Sequence, residues 1–251
     1  MPPNPVSILF ALSLAAIAPL LPAQQGTQQR IEPPHTEQMN FAPGGTIRID
    51  ESRGDVYVEG WDQPEVELTV VKSMPYEYKR KHPEEATKHL DSVRVVTERK
   101  SATELTISTK HARRRNTDAV ILEYEIHVPR DSKLIIQHAK GSVLTIGLTS
   151  DINVECSRGD IQLMLRDSGS YSIDAATKFG IVISDFEGTT ELRRYRLGER
   201  YATPSTHSSP HIFLRMGFGG ITIKAVPIEA YSTFSGTRAD TESLSAGSRN
   251  R

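Results

Sequence analysis

The segment INVECSRGDIQLML, residues 152–165, decides the fold class of this chain. Apolar residues alternate with polar ones on both sides of a polar corner, at Ile152, Val154, Cys156, Ile161, Leu163 and Leu165. A period of two is typical of β-strands that bury one face. The segment therefore predicts two short strands that meet at a corner containing Gly159.

The same unit recurs along the C-terminal half of the chain. Its glycines stand at positions 141, 159, 180, 198 and 220, which are 18 to 22 residues apart. Four of them lie beside a short apolar alternation, whereas the copy ELRRYRLGERY, around Gly198, is rich in arginine and either bulges out or ends the stack. A unit of about twenty residues cannot bury its apolar face alone, so copies must stack. We expect an all-β fold, a single-stranded β-solenoid or β-roll.

Glycine and aspartate are the residues expected at the corners, because glycine adopts positive φ and aspartate hydrogen-bonds nearby amides. The predicted structural turn positions are Gly54, Asp55, Gly141, Gly159, Asp160, Gly180 and Gly220. The tetrapeptide SRGD occurs at two of these corners, at 52–55 and 157–160. Arg-Gly-Asp is also an integrin-binding sequence, but AKGS fills the equivalent corner at 139–142. We therefore interpret both copies as turns, since short motifs have many false positives.

The N-terminal half follows the same pattern more loosely. Alternation predicts strands around 47–49, 56–58, 66–70, 93–96, 105–108 and 120–128. One inserted short helix is predicted at about 82–91, because Pro83 suits a first turn, Glu84 favours the N-terminal end and Lys88 the C-terminal end.

These residues resemble a known family. The run GDVYVEGWDQPEVELTV (54–70), a short charged helix, the strand EYEIHVP (123–129) and the repeated G-[DS]-[VI] corners are similar to the bacterial adhesin domain of unknown function found in exported proteins. Its relatives include the head domain of autotransporter adhesins. The resemblance covers roughly residues 44–226 and implies a right-handed β-solenoid at the cell envelope or outside the cell. It carries no catalytic residues to this chain.

The N-terminus reads as a secretory signal peptide, residues 1–23. An apolar run from Val6 to Leu21 precedes Ala23 and a polar stretch, and a run of this length is short for a membrane span of about 20 residues. We expect cleavage after Ala23, a polar linker at 24–43, a solenoid domain at 44–226 and a flexible polar tail at 227–251. No transmembrane segment is expected in the cleaved chain, and its predicted location is the periplasm or the cell surface.

Charge and cysteine content exclude several functional classes. The formal net charge is −1, so no overall field favours nucleic acid, and we expect no nucleic-acid partner. The only cysteine, Cys156, lies in an apolar alternation and cannot form an intrachain disulfide. It is predicted to be a buried, inert thiol.

Several chemical motifs have a simpler structural explanation. His207 and His211 are four residues apart, but Pro210 places them in a loop, and His82 and His89 flank a solvated helix. The basic run KHARRR, residues 110–115, suits a hairpin loop, although binding of phosphate or lipopolysaccharide is an alternative. No metal or cofactor site is predicted.

Two residue types keep a functional interpretation open. The corner aspartates Asp55, Asp151, Asp160 and Asp185 are of the type used by β-helical polysaccharide enzymes, although no spacing makes them converge. Trp61, the only tryptophan, is expected to cap the first turn, with a sugar-stacking surface as the alternative.

The sequence therefore predicts a non-enzymatic, exported envelope protein with a structural, adhesive or binding role. Its expected partner is an envelope protein or a glycan, and an unpaired terminal strand edge favours self-association. The alternative is a small β-helical carbohydrate-active enzyme that uses the corner aspartates. No nucleophile, base and orienting group assemble in the sequence, which favours the first hypothesis.

Overall fold

The computed structural model describes residues 34–51, 53–111, 120–192, 197–204 and 209–227. The strands are β1 His35–Asn40, β2 Thr46–Glu51, β3 Asp55–Trp61, β4 Glu65–Ser73, β5 Val93–Ser101, β6 Glu104–His111, β7 Ile121–Pro129, β8 Lys133–Lys140, β9 Val143–Ile146, β10 Ile152–Arg158, β11 Ile161–Arg166, β12 Ser172–Phe179, β13 Val182–Ser184, β14 Thr189–Leu192, β15 Glu199–Ala202, β16 His211–Phe218 and β17 Ile221–Val226. The helices are α1 Tyr76–Lys81 and α2 Pro83–Asp91. The predicted signal peptide, most of the tail and His207 lie outside the described residues.

The strands form two sheets that pack face to face. One has eight strands in the order β1-β4-β7-β3-β9-β11-β17-β13, and the other has nine in the order β14-β15-β12-β16-β10-β8-β2-β6-β5. Inward-facing aliphatic side chains from both sheets make one continuous core, in which Ile47, Leu134 and Leu165 are fully buried. The all-β class is confirmed.

Five strand pairs build the central part of the molecule. Each runs from the nine-stranded sheet through a glycine corner into the eight-stranded sheet: β2/β3, β8/β9, β10/β11, β16/β17 and β12/β13. Neighbouring pairs are parallel and in register in both sheets. We call these units corner pairs, and in-register stacking places equivalent residues of successive pairs in rows.

The single-stranded solenoid expected from the repeats is not what the structure shows. In a solenoid each copy stacks on its neighbour in sequence, but here β16/β17 lies between β10/β11 and β12/β13. Strand β15 pairs antiparallel with β12 and occupies the side of β12 on which β16 would otherwise stack. The arginine-rich copy around Gly198 contributes this hairpin, β14 and β15, rather than another corner pair.

Antiparallel strands also complete the N-terminal end of both sheets. Strands β1 and β4 extend the eight-stranded sheet beyond β7, and β5 closes the nine-stranded sheet against β6. The inserted helical segment is longer than predicted, because α1 precedes α2 and His82 separates them. Helix α2 buries only Ala86 and Leu90 against the core, which leaves its charged residues in solvent.

Candidate functional site

A concave surface lies on the outer face of the eight-stranded sheet, over β4, β7, β3 and β9. Residues paired across neighbouring strands lie side by side in rows. The first row contains Glu67, His127 and Glu59, and the second contains Thr69, Glu125, Tyr57 and Leu144. Side chains of alternate residues project from the same face of a strand, so these two rows face outward together. We call this surface the Trp61 groove.

Three glutamates surround one imidazole in the groove. The Nε2 atom of His127 lies 3.6 Å from a carboxylate oxygen of Glu59 and 4.0 Å from one of Glu125, and its Nδ1 atom lies 3.6 Å from Glu67. The Tyr57 hydroxyl donates a hydrogen bond of 2.8 Å to Glu59. With all three glutamates ionised, the cluster is anionic whichever charge the imidazole carries.

Trp61 forms the aromatic wall of the groove. Its ring stacks on His127 with 5.2 Å between centroids and 28° between planes. The indole N–H donates a 2.9 Å hydrogen bond to the carbonyl oxygen of Glu65, which fixes the ring orientation. Because Trp61 is only half-buried, one part of the ring remains accessible to a ligand.

Arg130 is the cation at the rim. Its guanidinium donates to the Asp62 carboxylate at 2.7 Å, and this hydrogen bond holds the pKa of Asp62 below its usual value. Arg130 also donates to the carbonyl oxygen of Gly147, so its position is set from two sides. The guanidinium of Arg130 therefore neutralises the charge of Asp62 and not that of the glutamates around His127.

The groove has a volume of about 940 Å³, and most of its charged side chains are acidic. Its lining has a single guanidinium, that of Arg130, and five carboxylates, those of Asp55, Glu59, Asp62, Glu123 and Glu125, while Glu67 stands beside this lining. Within the described ranges, no group of three or more His, Cys, Asp or Glu residues has metal-binding geometry. The groove is therefore an acidic, aromatic surface suited to a cationic organic group.

Five corner glycines form a glycine ladder along one edge of the molecule, and four of them are predicted turn positions: Gly54, Gly141, Gly159 and Gly180. In spatial order it contains Gly54, Gly141, Gly159, Gly219 and Gly180, with φ between 131° and 143°. A Cβ atom built on Gly159 would overlap the carbonyl oxygen of Gly141, the preceding rung. Gly219, not the expected Gly220, occupies the ladder in β16/β17, and Gly220 takes the place that Asp160 holds in β10/β11.

The corner aspartates bind backbone amides of neighbouring corner pairs. Asp55 accepts from the Ser142 N–H at 2.8 Å, Asp160 from Gly220 at 3.0 Å, Asp151 from His211 at 2.9 Å and Asp185 from Ala225 at 3.2 Å. The amide of His211 is the main reason that the pKa of Asp151 is lowered. In the row of residues that follow the ladder glycines, Ser142 lies between Asp55 and Asp160, so these two carboxylates are not adjacent.

The other motifs from the sequence do not assemble a site. His211 lies on β16, while the last four residues of KHARRR, 112–115, lie outside the described residues. His82 and His89 both stack near Tyr78 on the helical insertion. Cys156 is buried as predicted, and burial raises the pKa of its thiol.

Sequence reasoning identified Trp61 but missed the glutamates and His127. The available signal was the alternation of polar residues in EYEIHVP, residues 123–129, opposite the apolar ones. That pattern shows that Glu125 and His127 share a face, but it does not show which strands lie beside them.

Among the described residues, neither helix is long and apolar enough to span a membrane. No protein-family model and no curated protein match the chain. A solved structure of a candidate cell adhesion protein from Clostridium sporogenes is similar, with 12% identity, 77% of this chain and 100% of that chain covered, and a TM-score of 0.47.

Two further candidate adhesins are also similar in structure. The protein from Bacteroides fragilis has 10% identity, covers 77% of this chain and 98% of its own, and gives a TM-score of 0.25. The protein from Parabacteroides distasonis has 14% identity, covers 76% of this chain and 65% of its own, and gives a TM-score of 0.22. Identities this low and TM-scores under 0.5 do not support transfer of a function to this chain.

Proposed function

We propose that the protein is an exported, non-enzymatic binding module of the cell envelope, and that the Trp61 groove holds a cationic group of its partner. The partner is an envelope protein that presents Lys or Arg, or an amino-bearing glycan. One observation carries the proposal: the Trp61 ring stands over His127 beside three glutamates, of which Glu59 and Glu125 line the groove.

The clustering of the glutamates has a physical cost. In the same groove Asp55 faces Glu123, and like charges on facing strand positions destabilise a sheet. Glu59 is buried, where a carboxylate is poorly solvated. A bound ammonium or guanidinium offsets both effects. Side chains that lower the local stability of a fold are typical of functional sites.

The aromatic wall adds affinity for the same ligand class. A cation within about 6 Å of a tryptophan ring centroid is attracted by the ring quadrupole. The carboxylates then supply charge-assisted hydrogen bonds that fix the orientation of the cation. Trp61 and the glutamates therefore favour one type of ligand group by two separate interactions.

The corner aspartates give little support to the alternative of a carbohydrate-active enzyme. Each is engaged by a backbone amide, and hydrolysis of a glycosidic bond needs a pair of carboxyl groups flanking that bond. The proposed role thus requires binding without turnover.

The test is a binding screen with the chain from residue 24 onward on an array of envelope glycans and basic peptides. We expect saturable binding that weakens with salt, and a loss of about tenfold or more in Trp61→Ala. Tyr76→Ala, which removes a half-exposed aromatic from α1, is the matched control and should bind like the wild type. Equal binding by Trp61→Ala, or release of a cleaved product, would contradict the proposal.

A further inference from the structure

The residue that precedes each ladder glycine forms a second row along the same edge. In spatial order the row contains Arg53, Lys140, Arg158, Phe218 and Phe179, and Leu197, which precedes Gly198 outside the ladder, continues it as a sixth position. Each successive glycine N–H donates to the carbonyl oxygen of the next residue in this row, at 2.9 to 3.0 Å, which fixes the order. We call this row the corner ridge. With about 4.8 Å between strands, its six positions span about 24 Å.

The corner ridge changes character halfway along. Its first three positions carry cations, of which Lys140 and Arg158 are exposed. Its last three carry large apolar side chains that are exposed by 51% at Phe218, 41% at Phe179 and 55% at Leu197.

Contacts between side chains hold the apolar half in place. The Phe218 and Phe179 rings stack with 4.5 Å between centroids and 7° between planes. The Arg158 guanidinium lies 5.9 Å from the Phe218 ring centroid, which joins the cationic half to the apolar half. The ridge therefore presents a pre-ordered surface rather than independent side chains.

The corner itself does not require apolar residues at these positions. Arg53, Lys140 and Arg158 occupy the same backbone position with the same glycine following them. Exposed apolar side chains cost solubility and in monomeric proteins mark an interaction surface when they are contiguous. Ile181, directly after the corner glycine Gly180, is 54% exposed and enlarges the patch.

We propose that the corner ridge docks onto an anionic lipid bilayer. The three cations contact lipid headgroups while Phe218, Phe179 and Leu197 enter the boundary between headgroups and acyl chains. Lys178, which is exposed beside Phe179, adds a fourth charge. Asp55 and Asp160 stand on the other side of the glycine ladder and leave this edge with a net positive charge.

Pairing with the strand edge of a second copy fits the apolar end less well. Strand β13 is the edge of the eight-stranded sheet, but the Val182 N–H already donates to the Glu199 carboxylate at 2.8 Å. A side chain that occupies an edge amide blocks strand addition at that point. An anionic bilayer would bind both halves of the corner ridge, since its headgroups attract the cations. An apolar contact between two copies would involve only the apolar half.

The test uses sedimentation with vesicles and the chain from residue 24, which retains every residue of the described fold. Vesicles of phosphatidylcholine alone are compared with vesicles that also contain phosphatidylglycerol. We expect salt-sensitive binding to the anionic vesicles only. The triple variant Arg53→Gln, Lys140→Gln and Arg158→Gln should lower the partition coefficient by about fivefold for each charge removed.

The apolar half has its own variant and both halves have controls. Phe179→Ser combined with Phe218→Ser changes only exposed side chains and should reduce binding by about tenfold or more. Removing three cations elsewhere, in Lys81→Gln, Lys88→Gln and Arg94→Gln, should cost much less, as should Tyr76→Ser. Binding that is equal on both vesicle types, or equally reduced by ridge and control variants, overturns the proposal. So does a dimer, measured by light scattering, that the ridge variants abolish while vesicle binding stays unchanged.

Discussion

The glycine ladder and the Trp61 groove use some of the same strands but are assembled in different ways. The ladder repeats one backbone position in five corner pairs, and every glycine after Gly54 excludes a Cβ because the previous rung lies against it. The groove has no repeat, since His127 comes from β7, which is far in sequence from the consecutive strands β3 and β4 that carry Glu59 and Glu67. The repeated corner pairs therefore form the scaffold, whereas the Trp61 groove forms where strands of dissimilar sequence lie side by side.

This difference separates two kinds of mutational effect. Ladder residues contact other backbone, so changing them should alter the free energy of unfolding. Groove residues contact mainly each other and solvent, so changing them should alter binding. The expected loss of stability is therefore largest in the ladder and smallest in the groove.

The largest effect is expected at Gly219. Its φ is 134°, and a Cβ there would overlap the Gly159 carbonyl oxygen. We expect Gly219→Ala to lower the free energy of unfolding by about 3–5 kcal/mol, measured by urea denaturation.

Gly220 is the matched control beside it. A Cβ on Gly220 would lie 3.4 Å from the Asp160 carboxylate and its φ is not positive, so Gly220→Ala should change stability by about 0.5 kcal/mol or less. Equal losses in the two variants would contradict the ladder assignment.

The next largest effect is a fall in the free energy of unfolding at acid pH, for which His138 is responsible. This side chain is almost fully buried beside Glu51 and Cys156. Burial lowers its pKa below 6.5, with the Glu51 carboxylate acting in the opposite direction. The unfolded chain therefore binds the proton more readily, and stability falls as pH drops below 6.5.

The slope from this one group is at most about 1.4 kcal/mol per pH unit. His138→Leu should flatten that part of the pH dependence, as followed by urea denaturation between pH 7 and the acid range. An unchanged slope in His138→Leu would show that another group is responsible.

A smaller loss is expected at the corner aspartates. Asp160→Ala removes the acceptor of the Gly220 N–H and should cost about 1 kcal/mol in thermal or urea unfolding. Asp167→Ala, at an exposed position at the other end of β11, should stay within about 0.5 kcal/mol of the wild type. If both substitutions are neutral, the corner aspartates do not stabilise the stack.

The smallest effect on stability belongs to the groove. Glu125→Gln relieves repulsion around His127, so we expect stability that is unchanged or higher by about 0.5 kcal/mol. The same variant should weaken ligand binding, since it removes a charge that the cation contacts. Lower stability together with unchanged binding would assign Glu125 to the scaffold.

The strands and corners were predictable because each depends on local sequence. Alternation at Ile161, Leu163 and Leu165 indicated a strand with one buried face, and all three side chains are buried. Glycine and aspartate marked the corners for the same local reason. In β16/β17 the ladder glycine is Gly219 and not Gly220, because two adjacent glycines fit the same pattern.

Strand order and the groove were not predictable because both depend on long-range pairing. The alternation in β16 is equally compatible with a neighbour in β10, β12 or both, and the position of β15 decides the outcome. His127 lies near Glu59 and Glu67 only because β7 pairs with both β3 and β4. No local pattern in one strand encodes that choice of neighbours.

The most direct test of the central claim is the fluorescence of Trp61, the only tryptophan in the chain. The chain from residue 24 is titrated with a lysine-containing peptide and with the same peptide acetylated on its amines. We predict a saturable change in Trp61 emission with the cationic peptide, which weakens with salt and is absent with the acetylated one. Equal responses to both peptides, or no response to either, would contradict a cation-binding groove.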